Sequence, residues 1–125
     1  MFFDTNFLID LQEELENRVA GPARTFLGAH RNEVQAISVI SLGEFAAGLD
    51  NNEQARQFLA HFRVVPLKPE ISLTAAEIDR HLMAMGQRLG ENDNWIAGFA
   101  RYYGMPLVSN DKGFDRVPGL RRLAY

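Results

Sequence analysis

The chain has 125 residues, 46% of them hydrophobic and 23% charged, which describes one globular domain with its own core and excludes a disordered or low-complexity chain. It has no cysteine, which excludes a disulfide frame and a thiolate metal site and fits a reducing cytoplasm. The formal charge of −3 argues at first against a nucleic-acid partner.

Residues 2–4 read as a strand that ends at once on Asp4-Thr5-Asn6. These cap a helix opened by Phe7, Leu8, Ile9 and Leu11. The opening residues lack the basic and long apolar regions of a signal peptide, so no leader is expected. Gly21-Pro22 breaks the pattern, and Pro22 suits the first turn of a second helix running to about His30. The β-branched run 34–40 predicts a buried strand. Ser41 then opens a helix running to Gly48. Asn51-Asn52 punctuates, and a further helix is predicted through Phe62, carrying Phe58, Leu59 and Phe62. Val64-Val65 is a short strand closed by Pro66.

The longest helix is predicted over about 70–89. There Ile71, Ala75, Ile78, Leu82, Met85 and Leu89 form one apolar stripe, and Gly90 stands as the terminating glycine. A helix over about 92–103 follows, then a strand at Leu107-Val108 and turns at Ser109-Asn110-Asp111 and Val117-Pro118-Gly119. A last strand runs from Leu120 to Leu123. No apolar run approaches the roughly 20 residues of a membrane span. Strands separated by helices predict βαβ crossovers and an α/β fold with a mainly parallel sheet.

Acids recur where these elements turn. Asp4 reads as an N-cap or Asx turn on its own. Ser41-Leu42-Gly43-Glu44 reads as a capping box, with Glu44 reaching back to the cap amide; the other reading has Glu44 on the first helical turn, pointing at Asp4. Asp93 complements a helix dipole, yet Glu91, Asn92, Asp93 and Asn94 supply more polar groups than one cap needs. Asp111 is a turn aspartate. Asp115 is a weaker candidate, because Phe114 beside it looks like an anchor.

Four acids at corresponding ends of successive elements repel one another when gathered, and a fold that gathers them needs a cation. An all-oxygen set suits Mg²⁺ or Mn²⁺ rather than zinc, and such ions support phosphodiester hydrolysis by water. With four acids committed in this way, 12 of the 16 remain against 13 Lys and Arg, so the net charge no longer excludes a polyanion. Other chemistries lack their residues. There is no Asp-x-Asp at the first strand, no Gly-Lys-Ser/Thr phosphate loop, no G-x-G-x-x-G and no G-x-S-x-G elbow.

Phe3-Asp4-Thr5-Asn6, Ile40-Ser41-Leu42-Gly43-Glu44, Gly90 to Ala97, and Leu107 to Asp111 with Phe114 to Leu120 together resemble, in order, the motifs of the PIN-domain ribonucleases, and most closely the VapC toxins. The resemblance covers the whole chain as a single PIN domain over 1–125. It implies a three-layer α/β/α sandwich and an Mg²⁺- or Mn²⁺-dependent endoribonuclease. Asp4, Glu44, Asp93 and Asp111 would hold the metal, with Thr5, Asn6, Ser109 and Asp115 as auxiliary groups. It also implies structured RNA, often tRNA, as substrate, a homodimer, and a cognate VapB-like antitoxin that blocks the site. Ser109 stands where the family more often has Thr. A catalytically idle PIN fold that binds RNA or protein is the alternative, disfavoured by the presence of all four acids; a DNA-directed nuclease is a third reading.

Lys112 and Arg116, with Arg121 and Arg122, are candidates for the RNA backbone, a solvated tail being the plain alternative. His30, His61 and His81 lie in unrelated helices and are expected in structural roles, and Trp95 in the core. Phe45, Phe58, Leu59 and Phe62 fit either a core or an apolar groove for a partner helix.

Overall fold

Each core strand sends one side chain to each face of the sheet, as the two-residue period of a strand requires. A computed structural model describes all 125 residues. Its elements are β1 (Phe2–Phe3), α1 (Thr5–Glu16), α2 (Pro22–Ala29), β2 (Ala36–Ser38), α3 (Val39–Ala47), α4 (Asn52–Phe58), β3 (Arg63–Val65), α5 (Pro69–Ala84), α6 (Glu91–Tyr103), β4 (Leu107–Val108), a 3₁₀ helix (Lys112–Arg116) and β5 (Arg122–Leu123).

The five strands form one sheet in the order β3-β2-β1-β4-β5, every neighbouring pair parallel. Phe2, Ala36 and Leu107 face one way and join Ile71, Ile78 and Leu82 of α5, Ile96 and Phe99 of α6, and Phe114. Phe3, Ile37 and Val108 face the other way and join Phe7, Leu8 and Leu11 of α1, Ala23 of α2, Phe45 of α3, Ala55 of α4 and Leu59 at its end. These two cores are the sheet–helix interfaces of a three-layer α/β/α sandwich, as expected. The strand order reverses at β1, because the chain builds β2 and β3 on one side of it and β4 and β5 on the other. Ligands bind at such switch points, beyond the carboxyl ends of the strands. No helix is long and apolar enough to cross a membrane.

α4 ends at Phe58, short of Phe62, and β5 starts at Arg122 instead of Leu120; three further differences from the sequence reading have larger consequences. The strand predicted over 34–40 ends at Ser38, whose Oγ accepts the Ser41 amide at 3.1 Å and starts α3 at Val39. A hydroxyl cap overrides the β propensity of Val39 and Ile40. Ser41 therefore lies buried in the first turn instead of capping the helix, and Glu44 is not part of a capping box.

The second difference is at α5, which ends at Ala84 with Met85 as its cap. Gly86, at φ +67°, takes the left-handed position assigned to Gly90. Gly90 instead precedes α6 as its cap. Met85 is exposed, while Leu89 still packs on the core from the connecting loop. Third, the segment between Asp111 and Val117 is a short 3₁₀ helix, with Phe114 anchored in the core as its sequence suggested.

Candidate active site

The site is built outward from β1. Asp4 follows Phe3, and its extended backbone places the carboxyl as the cap of α1, Oδ1 accepting the Phe7 amide at 2.8 Å. The residue is only 4% exposed. Burial is the main cause that pushes its pKa up to about 6; the charges of Asp93 and Asp10 add to this, and the hydroxyl of Ser109 and the Phe7 amide oppose it.

Glu44 comes from the second turn of α3. The Thr5 hydroxyl donates to its Oε1 at 2.6 Å and the Asn92 amide to its Oε2 at 3.2 Å, so α1, α3 and α6 meet on this carboxylate. Asp93 lies half-buried in the first turn of α6. Desolvation, then the charges of Asp111 and Glu44, hold its pKa above the usual carboxylate range. Asp111 follows β4. Its amide donates to the buried Ser109 hydroxyl at 3.0 Å, and its Oδ1 accepts the Gly113 amide at 2.8 Å. The four acids named from the sequence thus occupy the carboxyl end of the sheet, around the β1/β4 switch point.

The auxiliary residues divide. Thr5 and Ser109 touch the acids as described. Asn6 is exposed and bonds to none of them. Asp115 faces away into a two-point pair with Arg122, Nε to Oδ1 at 2.8 Å and Nη2 to Oδ2 at 3.0 Å, and that guanidinium pulls its pKa down. Arg122 is therefore not a free cation for phosphate. Lys112 and Arg116 remain exposed and unpaired beside Asp111.

The polar run Glu91–Asn94 is explained by divided duties. Asn92 bonds Glu44, Asp93 faces the acids, and Asn94 donates to the Ala75 carbonyl of α5. The sequence held a hint of Asn92 in that excess of polar groups. It held none of Asp10, which receives the Tyr125 hydroxyl from 115 positions away. Phe45 and Leu59 are core. Phe58 and Phe62 border a groove of about 800 Å³ with Leu11, Leu15 and Leu27.

The ion pairs of the chain engage Glu33, Glu53, Glu77, Asp79 and Asp115, and none engages Asp4, Glu44, Asp93 or Asp111. As they stand, no three of these side chains converge closely enough to hold an ion. Glu44 accepts one hydrogen bond at each oxygen and Asp111 one at Oδ1, which leaves both carboxylates lone pairs for a cation. The donor chemistry fits a hard divalent ion, since the set is all carboxylate, none of it is in an ion pair, and burial and neighbouring charges disfavour the ionised forms of Asp4 and Asp93 until a cation is present.

The family model of the PIN domain matches residues 1–120. Two relatives, Ribonuclease VapC2 of Haemophilus influenzae strain Rd and Ribonuclease VapC of Haemophilus influenzae strain 86-028NP, are each 31% identical over 93 residues, covering 68% of this chain and 70% of theirs. Among solved structures, VapBC2 from Rickettsia felis bound to a DNA fragment from its promoter has a chain that superposes with a TM-score of 0.83 at 23% identity, covering 98% of this chain and 96% of that one. DNA-bound VapBC from Salmonella typhimurium gives 0.81 at 25% identity with the same coverage.

Proposed function

The chain belongs to the PIN-domain family and, by its likeness to Ribonuclease VapC, to the VapC-type ribonucleases within it, and on that premise we propose that it is a divalent-metal-dependent endoribonuclease, the toxin of a toxin–antitoxin pair. The observation that carries the reading is the set of four carboxylates at the β1/β4 switch point, none of them in an ion pair with a cation of the protein's own. Asp4, Glu44, Asp93 and Asp111 would hold Mg²⁺ or Mn²⁺. When bound, such an ion polarises a phosphoryl oxygen and lowers the pKa of water, the two needs of phosphodiester hydrolysis.

The chain's own groups do the rest. The Phe7 amide fixes the rotamer of Asp4, and Thr5 and Asn92 fix both oxygens of Glu44. The buried Ser109 hydroxyl favours the ionised form of Asp4 and anchors the Asp111 amide. Lys112 and Arg116 stand exposed beside Asp111, where they attract the phosphates flanking the cut. The substrate is proposed to be structured RNA such as tRNA.

The partner is proposed to be a VapB-like antitoxin. The groove of Leu11, Leu15, Leu27, Phe58 and Phe62, rimmed by Arg24, Arg31 and Arg63, supports an apolar helix with acidic flanks as its occupant. A homodimer is the proposed assembly. The test is RNA cleavage in Mg²⁺ or Mn²⁺ by the wild type and by Asp4→Asn. Metal-dependent cutting that the substitution abolishes is expected, and equal activity in both overturns the assignment of the site.

A further inference from the structure

Arg122 and Asp115 are left over by the proposed chemistry, yet their arrangement is the most constrained polar feature outside the four acids. Arg122 lies on the edge strand β5, and only 14% of its side chain is exposed. Two of its nitrogens grip the Asp115 carboxylate of the 3₁₀ helix, and a third, Nη1, donates to the Ser109 carbonyl at 3.0 Å. Ser109 is held a second time through its own amide, which donates to the Leu123 carbonyl of β5 at 2.9 Å. Its hydroxyl then accepts the Asp111 amide. On the far side of the turn, Asn110 accepts the Tyr125 amide at 2.8 Å.

The turn carrying Asp111 is thus gripped by β5 at Ser109 and by Tyr125, two residues beyond β5, at Asn110. A guanidinium with a planar fork suits this role, since it satisfies a carboxylate and a carbonyl at once. Arg122 also lies within the field of Asp111 without pairing to it, which offsets part of that charge while leaving the Asp111 carboxylate free of a cation.

We propose that Arg122, oriented by Asp115, is a positioning residue that clasps the Ser109–Asp111 turn and sets the affinity of the acidic site for its metal. The proposal rests on the metal-dependent reading above. It assigns Arg122 to the protein's own turn instead of to RNA phosphate, and it assigns Asp115 to Arg122 instead of to the ion.

The test compares wild type, Arg122→Gln, Asp115→Asn, the double variant and Asp93→Asn. Two readouts are used: the rise in Tm caused by titrated Mn²⁺, and the Mn²⁺ dependence of RNA cleavage. Outer partners of ligating groups typically alter metal affinity by about 10-fold or more. Arg122→Gln is therefore expected to raise the Mn²⁺ concentration needed in both readouts by roughly 10-fold, with most of the cleavage rate restored at saturating Mn²⁺. Asp115→Asn shifts both readouts the same way by less, and the double variant resembles Arg122→Gln because the two residues act as one unit.

Unchanged Mn²⁺ dependence with a lower metal-free Tm makes the pair a plain edge-strand brace and overturns the proposal. So does a raised KM for RNA with strong salt dependence and normal Mn²⁺ dependence, which is the signature of phosphate binding. If Arg122→Gln fails to fold, Asp115→Asn carries the test alone, since Asp115 is exposed. Absence of any Mn²⁺ effect on the wild type sinks the metal reading itself and the clasp with it. A wild type that responds like Arg122→Gln sinks the clasp alone.

Discussion

Asp4 and Asp115 show how differently one fold can treat the same side chain. Asp115 is exposed, gripped by Arg122, and its pKa is pulled down. Asp4 is buried, has no cation beside it, and its pKa is pushed up to about 6 by desolvation and then by the neighbouring charges of Asp93 and Asp10. Most folds neutralise or expose their acids; a buried carboxyl left uncompensated weakens the protein unless something binds there. The contrast marks the switch-point crevice as the place where this chain carries a cost to stability, and the β5 side as the place where it removes one.

The largest effect expected from breaking this contrast is on activity. Asp4→Asn or Asp93→Asn should lower RNA cleavage in Mn²⁺ by at least about 100-fold, the scale of losing one preorganised electrostatic group, and should erase the Mn²⁺-induced rise in Tm. Cleavage assays beside thermal melts check this, and retained Mn²⁺ stabilisation in both variants would falsify their role as ligands.

A second prediction has the opposite sign and follows from the same burial. A carboxyl whose folded pKa lies above its unfolded value stabilises the fold below the unfolded value and loses that contribution as pH rises through the folded one. For Asp4 the window runs from 3.8 to about 6, and the loss amounts to at most about 3 kcal/mol. Metal-free Asp4→Asn should therefore be more stable than the wild type at pH 7.5 by about 1–2 kcal/mol, since Asn keeps the cap on α1. The two should converge near pH 4. Urea melts across pH, in chelator, measure the difference, and parallel curves for the two proteins would remove burial of Asp4 as the cause.

The stabilisation conferred by Mn²⁺ gives a third, intermediate effect. Ion binding needs Asp4 ionised, so the Mn²⁺-dependent Tm shift should shrink as pH falls through about 6 and return above it. At 100-fold excess over the dissociation constant the shift corresponds to about 2.7 kcal/mol. A shift independent of pH between 5 and 7.5 would place the ion away from Asp4.

Much of the architecture was legible because short strands have so few choices. Phe2-Phe3 and Leu107-Val108 are apolar pairs between polar turns, and the sheet needs one residue of each for each face. The α5 stripe named four of the residues that became its core, Ile71, Ala75, Ile78 and Leu82. Asp4 and Asp111 could be located because they sit directly after strands. Glu44 was placed one turn too early because Ser38 and Ser41 are both hydroxyls, three residues apart, and Val39-Ile40 reads as strand until the Ser38 cap is seen. The partners of Arg122 are not legible in the sequence for a different reason. Its partner Asp115 is reached only through the register of β5 against β4 and the 3₁₀ turn between them, and no local pattern encodes that.

The smallest predicted effect separates the two serines at α3, and through them the role of Glu44. If Ser38 is the cap, Ser38→Ala should destabilise the protein by about 1 kcal/mol, the usual loss for a removed N-cap. Ser41→Ala should cost less, because the Ser41 hydroxyl reaches only the Ser38 Oγ, at 3.5 Å. Glu44→Gln should leave the helix start unchanged, since Glu44 lies a turn beyond it, yet should impair Mn²⁺ binding and cleavage. A capping box predicts the reverse ranking, with Ser41→Ala the costlier serine change. Urea midpoints of the three variants decide between them, and they decide whether the glutamate serves the helix or the crevice. The hydrogen bonds from Thr5 and Asn92 favour the crevice, because they come from α1 and α6 and tie Glu44 to the elements that carry Asp4 and Asp93.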